Sequence, residues 1–133
     1  MEDLAAQLAI QGLLLRLARE TDFGAVDKYL DCFDDDATME IEGRPARVGR
    51  SELEAAASAG RAAGNIGPES GKYHIVIPGE VEVAADGATC ESRFMFVQKV
   101  EQGVSTLSVG RYHDRFTNGG AGWKLSSRVI EFG

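Results

Sequence analysis

The feature that most limits what this chain can fold into is a change of hydrophobic period along it. Ahead of Gly64 most apolar residues recur at helical spacing, and after Gly71 everything reads as strand. In residues 4–20, Ile10, Leu13, Leu14 and Leu17 fall at i, i+3, i+4, i+7, the stripe of one helix face. A second such pattern follows Gly24, with Val26, Tyr29, Leu30 and Phe33 on one side and Asp27, Lys28 and Asp31 on the other. The acidic run Asp34, Asp35, Asp36 is expected to end it. A third helix is expected over "GRSELEAAASAGRAAG", opened by a capping box of Ser51 and Glu54. Between the second and third, "ATMEIEG" alternates Ala37, Met39 and Ile41 against Thr38, Glu40 and Glu42, the pattern of a half-solvated strand.

Beyond the loop "GNIGPESG", strands are expected near 72–77, 80–85, 88–101, 104–116 and 122–131, divided by turn signals such as Asp86-Gly87, Gln102-Gly103 and "NGGAG". Helices first and long strands after them indicate a single α+β domain spanning 1–133, with one face of the sheet packed on the helices. A long curved sheet with helices across its open side encloses a cavity, and enclosed apolar cavities take small ligands. The expected ligand is a small hydrophobic molecule.

Several function classes are disfavoured. The longest apolar stretch, "LAIQGLLLRLA", is broken by Gln11 and Arg16 and falls far short of the ~20 residues that span a bilayer. "MEDLAAQ" lacks the basic start of a secretory signal, so a cytoplasmic location and no membrane partner are expected. Cys32 and Cys90 have no second cysteine at metal-ligand spacing and read as small buried hydrophobes, with no disulfide and no metal. A net charge of −7 argues against nucleic acid. "GRPARVGR" holds three arginines, but one short loop is a weak basic patch. Phosphate-binding glycine loops, dinucleotide fingerprints, paired metal-binding histidines and a nucleophile elbow are all missing, so no cofactor is expected.

What remains are ionisable groups in segments that should be buried. His74, in "KYHIVI", shares a strand face with Val76, opposite Tyr73 and Ile75. It is either a base facing the cavity or a histidine satisfied structurally. Asp22 lies at the junction of the first two helices, where it is either an N-cap of the second or, with apolar Phe23 tucking the junction against the sheet, a carboxylate that needs a partner. Together they suggest a dyad, because a carboxylate fixes an imidazole's tautomer and stabilises the imidazolium formed on protonation. Arg128 is placed by alternation with Ser126 and Ile130, opposite Trp123 and Leu125, unless a bulge intervenes. It would stabilise an anion in a dry pocket, or form a surface salt bridge. His113 belongs with Arg111 and Arg115 on a solvated face, and adjacent Asp114 cannot pair with it. Phe33, Phe94, Phe96 and Tyr112 are candidates for the substrate-binding wall.

The order "RETDFGAVDKYLDCFDDDATMEIEG", "KYHIVIPGEVEV" and "GRYHDRF" followed by "GWKLSSRVIEF" resembles the SnoaL-like branch of the nuclear-transport-factor-2-like superfamily over nearly the whole chain. The resemblance implies a cone-like curved antiparallel or mixed sheet packed against three N-terminal helices. The aspartate at the helix junction and the histidine on the first long strand after the third helix are similar to the dyad of scytalone dehydratase and hexachlorocyclohexane dehydrochlorinase. Arg128, five residues after Trp123, matches the spacing of the dehydrochlorinase arginine. The resemblance therefore implies Asp22 as orienter, His74 as proton acceptor and Arg128 as anion stabiliser in a cofactor-independent lyase or isomerase. Thr21 stands where scytalone dehydratase has a tyrosine, and "ESRFMFVQ" supplies no second histidine. Alternatives are a polyketide-cyclase or ketosteroid-isomerase-like enzyme, or a non-catalytic binding or subunit module. A partly apolar outer sheet face implies a homo-oligomer, dimer or trimer.

Overall fold

The computed structural model describes residues 2–133. Its elements are α1 (Glu2–Phe23), α2 (Val26–Leu30), β1 (Phe33–Ile41), β2 (Arg47–Val48), α3 (Gly49–Ala62), β3 (Lys72–Ile77), β4 (Val81–Ala84), β5 (Gly87–Val100), β6 (Gly103–Asn118) and β7 (Trp123–Phe132). The strands form one mixed sheet in the order β2-β1-β7-β6-β5-β3, with β4 paired to the start of β5 and β1 parallel to β7. The stripe read from the sequence is the buried face of α1: Ile10, Leu13, Leu14 and Leu17 pack with Leu30, Leu53, Phe116 and Leu125 into the core. No described helix is long and apolar enough to cross a membrane.

Two local expectations are corrected. The second helix stops at Leu30, and Phe33 with the acidic run opens β1 instead. The parallel pairing to β7 slips between Phe33 and Thr38, and that irregular stretch carries Asp35 and Asp36 in solvent while Asp34 accepts a hydrogen bond from Thr117. The third helix begins at Gly49 and not at Ser51, and its first turn is closed by Glu52, whose carboxylate accepts the Val48 N–H at 3.0 Å. A glutamate in the first turn also favours the positive end of the helix.

The sheet curls so that its edge strands, β2 and β3, both border one hollow under the helices. Two glycines permit the close approaches this requires. A Cβ on Gly79, at the β3–β4 corner, would lie 1.7 Å from the Glu91 carbonyl oxygen, and one on Gly110 would lie 2.8 Å from the Phe94 ring. Gly110 thereby makes room for Phe94 on the inner face of the sheet.

Candidate active site

Asp22 sits in the last turn of α1, a turn with no basic residue of its own. A carboxylate at the negative end of a helix is unfavourable, and this one is 3% exposed. Two contacts answer that cost. Arg61, from the last turn of α3, donates through Nη2 to the carbonyl oxygens of Glu20 (3.1 Å), Thr21 (3.1 Å) and Gly24 (3.4 Å), placing positive charge at the helix end. The second contact is His74.

β3 is an edge strand, and the His74 N–H turned away from its neighbour has no ladder partner. Asp22 Oδ2 accepts that N–H at 2.8 Å, while Oδ1 lies 2.7 Å from His74 Nδ1. One carboxylate thus holds both the backbone and the ring of the same residue. At 2.7 Å a proton must lie between Oδ1 and Nδ1, so the neutral ring carries it on Nδ1 and leaves Nε2 bare. Nε2 makes no hydrogen bond with the described residues. The ring stacks on Phe96 with centroids 4.5 Å apart, and His74 lines the cavity with Val76. Asp22 does not cap α2, whose N-cap is Ala25 with no side-chain bond. Phe23 does not tuck the junction inward either: it is 64% exposed and packs near Tyr73 on the outside. The partner that buries Asp22 is the histidine.

Arg128 also reaches the cavity, on the same face as Leu125, contrary to simple alternation. The pairing of β6 with β7 steps from Phe116↔Leu125 to Arg115↔Ser127, so Ser126 is an extra residue that bulges and resets the faces. Arg128 is not a free cation. Its Nε and Nη2 donate to the two oxygens of its cross-strand partner Asp114 at 2.8 and 2.9 Å, and its guanidinium lies 3.7 Å from the Tyr112 ring centroid. Burial alone would lower the Arg128 pKa, but the charge and hydrogen bonds of Asp114 outweigh it and raise it. Burial pushes the Tyr112 phenol up to about 12, against the opposing pull of Arg128. Asp114 is legible in part from sequence, since alternation puts it on the face of Tyr112.

The cavity has a volume of about 510 Å³. Phe94, Phe96 and Tyr112 form its floor, with Phe94 stacked on Tyr112 at 4.5 Å. Phe33 is not on this wall: as the first residue of β1 it lies in the core, edge-on to Tyr29. His113 is on the outer face, with Nε2 2.6 Å from a Glu131 oxygen. Arg44 and Arg47 of "GRPARVGR", together with Arg61 and Lys72, line the cavity. In the sequence those loop arginines read only as a weak basic patch. Among the described residues no group of three or more His, Cys, Asp or Glu side chains is disposed to hold a metal ion.

Residues 2–129 match the family model of the SnoaL-like domain. The chain belongs to that family, whose nuclear-transport-factor-2-like fold serves isomerases, dehydratases and non-catalytic subunits. Among solved structures it is similar to a variant of Rv3472, a Mycobacterium tuberculosis protein of unknown function (23% identity, 99% of this chain and 74% of that one, TM-score 0.81). A Novosphingobium aromaticivorans nuclear-transport-factor-2-like protein with a cystatin-like fold superposes with TM-score 0.84 at 21% identity, over 98% and 84% of the two chains. A third similar structure, from the same organism, is assigned as the beta subunit of an aromatic-ring-hydroxylating dioxygenase (20% identity, 99% and 92% covered, TM-score 0.72). No curated protein matches the chain significantly in sequence.

Proposed function

We propose that this chain is a cofactor-independent lyase or isomerase in which His74 takes a carbon-bound proton from a small hydrophobic cyclic substrate. The observation that carries the reading is the two-pronged grip of Asp22 on His74, at 2.8 and 2.7 Å, on a residue that lines the cavity and whose Nε2 has no partner among the described residues. In the reaction, Nε2 accepts the proton, the C–H electron pair moves onto the substrate, and the imidazolium is stabilised by the Asp22 carboxylate. Loss of a β-leaving group, or return of the proton at another carbon, completes turnover. Such general-base assistance is worth about 10²–10⁴-fold in rate. Arg128, neutralised by Asp114, serves here to hold the Tyr112–Phe94 floor and to present its remaining nitrogen, Nη1, to developing negative charge.

The test is turnover on a panel of cyclic ketones, hydroxy ketones and halides, followed by elimination or by exchange of substrate C–H for deuterium. His74→Ala and Asp22→Ala are each expected to lower the rate on the best substrate by about two orders of magnitude or more. Variants as fast as the parent would sink the mechanism and leave a binding module.

The reading extends to assembly. Ile75, Ile77, Met95, Leu107 and Val109 stand exposed on the outer sheet face, an apolar surface that a second copy would cover, giving a homo-oligomer, dimer or trimer. Sedimentation of the purified chain as a monomer at micromolar concentration would exclude it. The two buried free cysteines, Cys32 and Cys90, fit a cytoplasmic location.

A further inference from the structure

The chain carries 21 acidic and 14 basic residues, yet among the described residues the cavity wall takes Arg44, Arg47, Arg61, Lys72 and Arg128 and not one carboxylate. Two of these cations are occupied. Arg128 is matched by Asp114, and Arg61 by carbonyl oxygens at the end of α1. Arg44, Arg47 and Lys72 form no ion pair among the described residues; the side chain of Arg47 meets only the Met39 sulfur, at 3.9 Å. Arg47 and Lys72 are half-buried and Arg44 is exposed beside them; a half-buried cation without a partner loses hydration for nothing in return. A concave wall of one sign concentrates its field on whatever enters.

We infer that the ligand of this cavity carries a carboxylate, held by Arg44 and Arg47, which line the hollow from its β1–β2 side. This rests on the proposed function for the cyclic, hydrophobic part of the ligand and adds the acidic group. The guanidinium fork matches a carboxylate in two parallel hydrogen bonds, which a lysine or a neutral donor does not. Placement agrees with the chemistry. Arg44 and Arg47 come from the β1–β2 end of the sheet and His74 from β3, the opposite edge. A substrate anchored by its acid at one wall, with its ring over Phe94 and Phe96, turns its other end to His74 Nε2. The anchor also separates the fixed negative charge from the carbon that loses a proton, so that the carbanion is not formed beside an existing anion.

The test needs no turnover. Binding of naphthoate and of its methyl ester is measured by calorimetry, and of anilinonaphthalene sulfonate and uncharged phenylnaphthylamine by fluorescence. The anionic member of each pair is expected to bind about tenfold tighter or more, and its affinity to fall as salt rises from low to physiological strength. Arg47→Gln and Arg44→Gln should each weaken the anion about tenfold and leave the neutral partner within about twofold. Arg47→Lys should recover part of the loss, and Arg93→Gln, on the outer face, should change nothing. Equal binding of charged and neutral members, equal loss of both in Arg47→Gln, or binding of neither would overturn the inference. Charge-selective binding without any His74-dependent turnover would leave the anion site standing and remove the chemistry proposed above.

Discussion

Two buried carboxylates in this molecule, each 3% exposed, solve the same problem in opposite ways. Asp114 spends both oxygens on the guanidinium of Arg128, a group that stays charged at any accessible pH. The pair is closed: both carboxylate oxygens are taken up by the guanidinium, which lies against the Tyr112 ring. Asp22 spends one oxygen on a backbone N–H and the other on one nitrogen of an imidazole, and the second nitrogen is left over. That pair is open, because the ring can gain a proton while its orientation is fixed. The same two-pronged carboxylate grip thus locks a guanidinium in one wall of the cavity and leaves an imidazole nitrogen without a partner in the other.

Substitutions that remove charge from one member should separate the two pairs. The largest effect is expected from Asp114→Ala, which leaves Arg128 buried without its counter-charge and should cost about 3–5 kcal/mol of stability, read as a lowered urea midpoint. An unchanged midpoint would mean that Arg128 finds another partner and that the pair is dispensable. Asp22→Asn should invert the balance. The amide preserves shape but no longer stabilises an imidazolium, so turnover should fall by about two orders of magnitude while unfolding shifts much less than in Asp114→Ala. A variant that unfolds readily yet keeps its specific activity would assign Asp22 to the structural class.

The smallest effect concerns Tyr112, whose phenol is held up at about 12 by burial. Since the folded value lies above the unfolded one, near 10, the neutral phenol contributes stability in full below pH 10, and this is lost as pH rises toward 12. By pH 11 the loss should be on the order of 1 kcal/mol. Tyr112→Phe, compared with the parent between pH 9 and 11, should lack that part of the decline. Parallel curves for the two proteins would show that the phenol titrates as freely as in the unfolded chain.

Much of this site was legible in the sequence, by uneven means. Alternation around His74 put it on the face of Val76, and both line the cavity. The α1 stripe from Ile10 to Leu17 needed only the helical period. Asp22 was harder, because its partner lies 52 residues away and the local cue, Phe23, points outward. The chemistry of a carboxylate beside an imidazole suggests the pairing, and the resemblance to a family strengthens it. Arg128 was assigned to a face by counting in twos, and the bulge at Ser126 changed its relation to Leu125. Bulges leave no reliable mark in one strand, since the extra residue is defined by the partner's register. Phe33 was placed by continuing a helical pattern past Leu30, where pairing with β7 had already taken over. The loop arginines were visible as a cluster, but only the curl of the sheet shows that Arg44 and Arg47 border the same hollow as His74.

If Asp22 holds His74 through Nδ1, then Nε2 is the nitrogen left bare in the neutral ring. Nitrogen-15 NMR of the imidazole rings in the neutral state, with His74 assigned by its disappearance in His74→Gln, tests this without any substrate. The account predicts the coupling pattern of a ring protonated on Nδ1. A ring protonated on Nε2, or an equal mixture of the two tautomers, would contradict it.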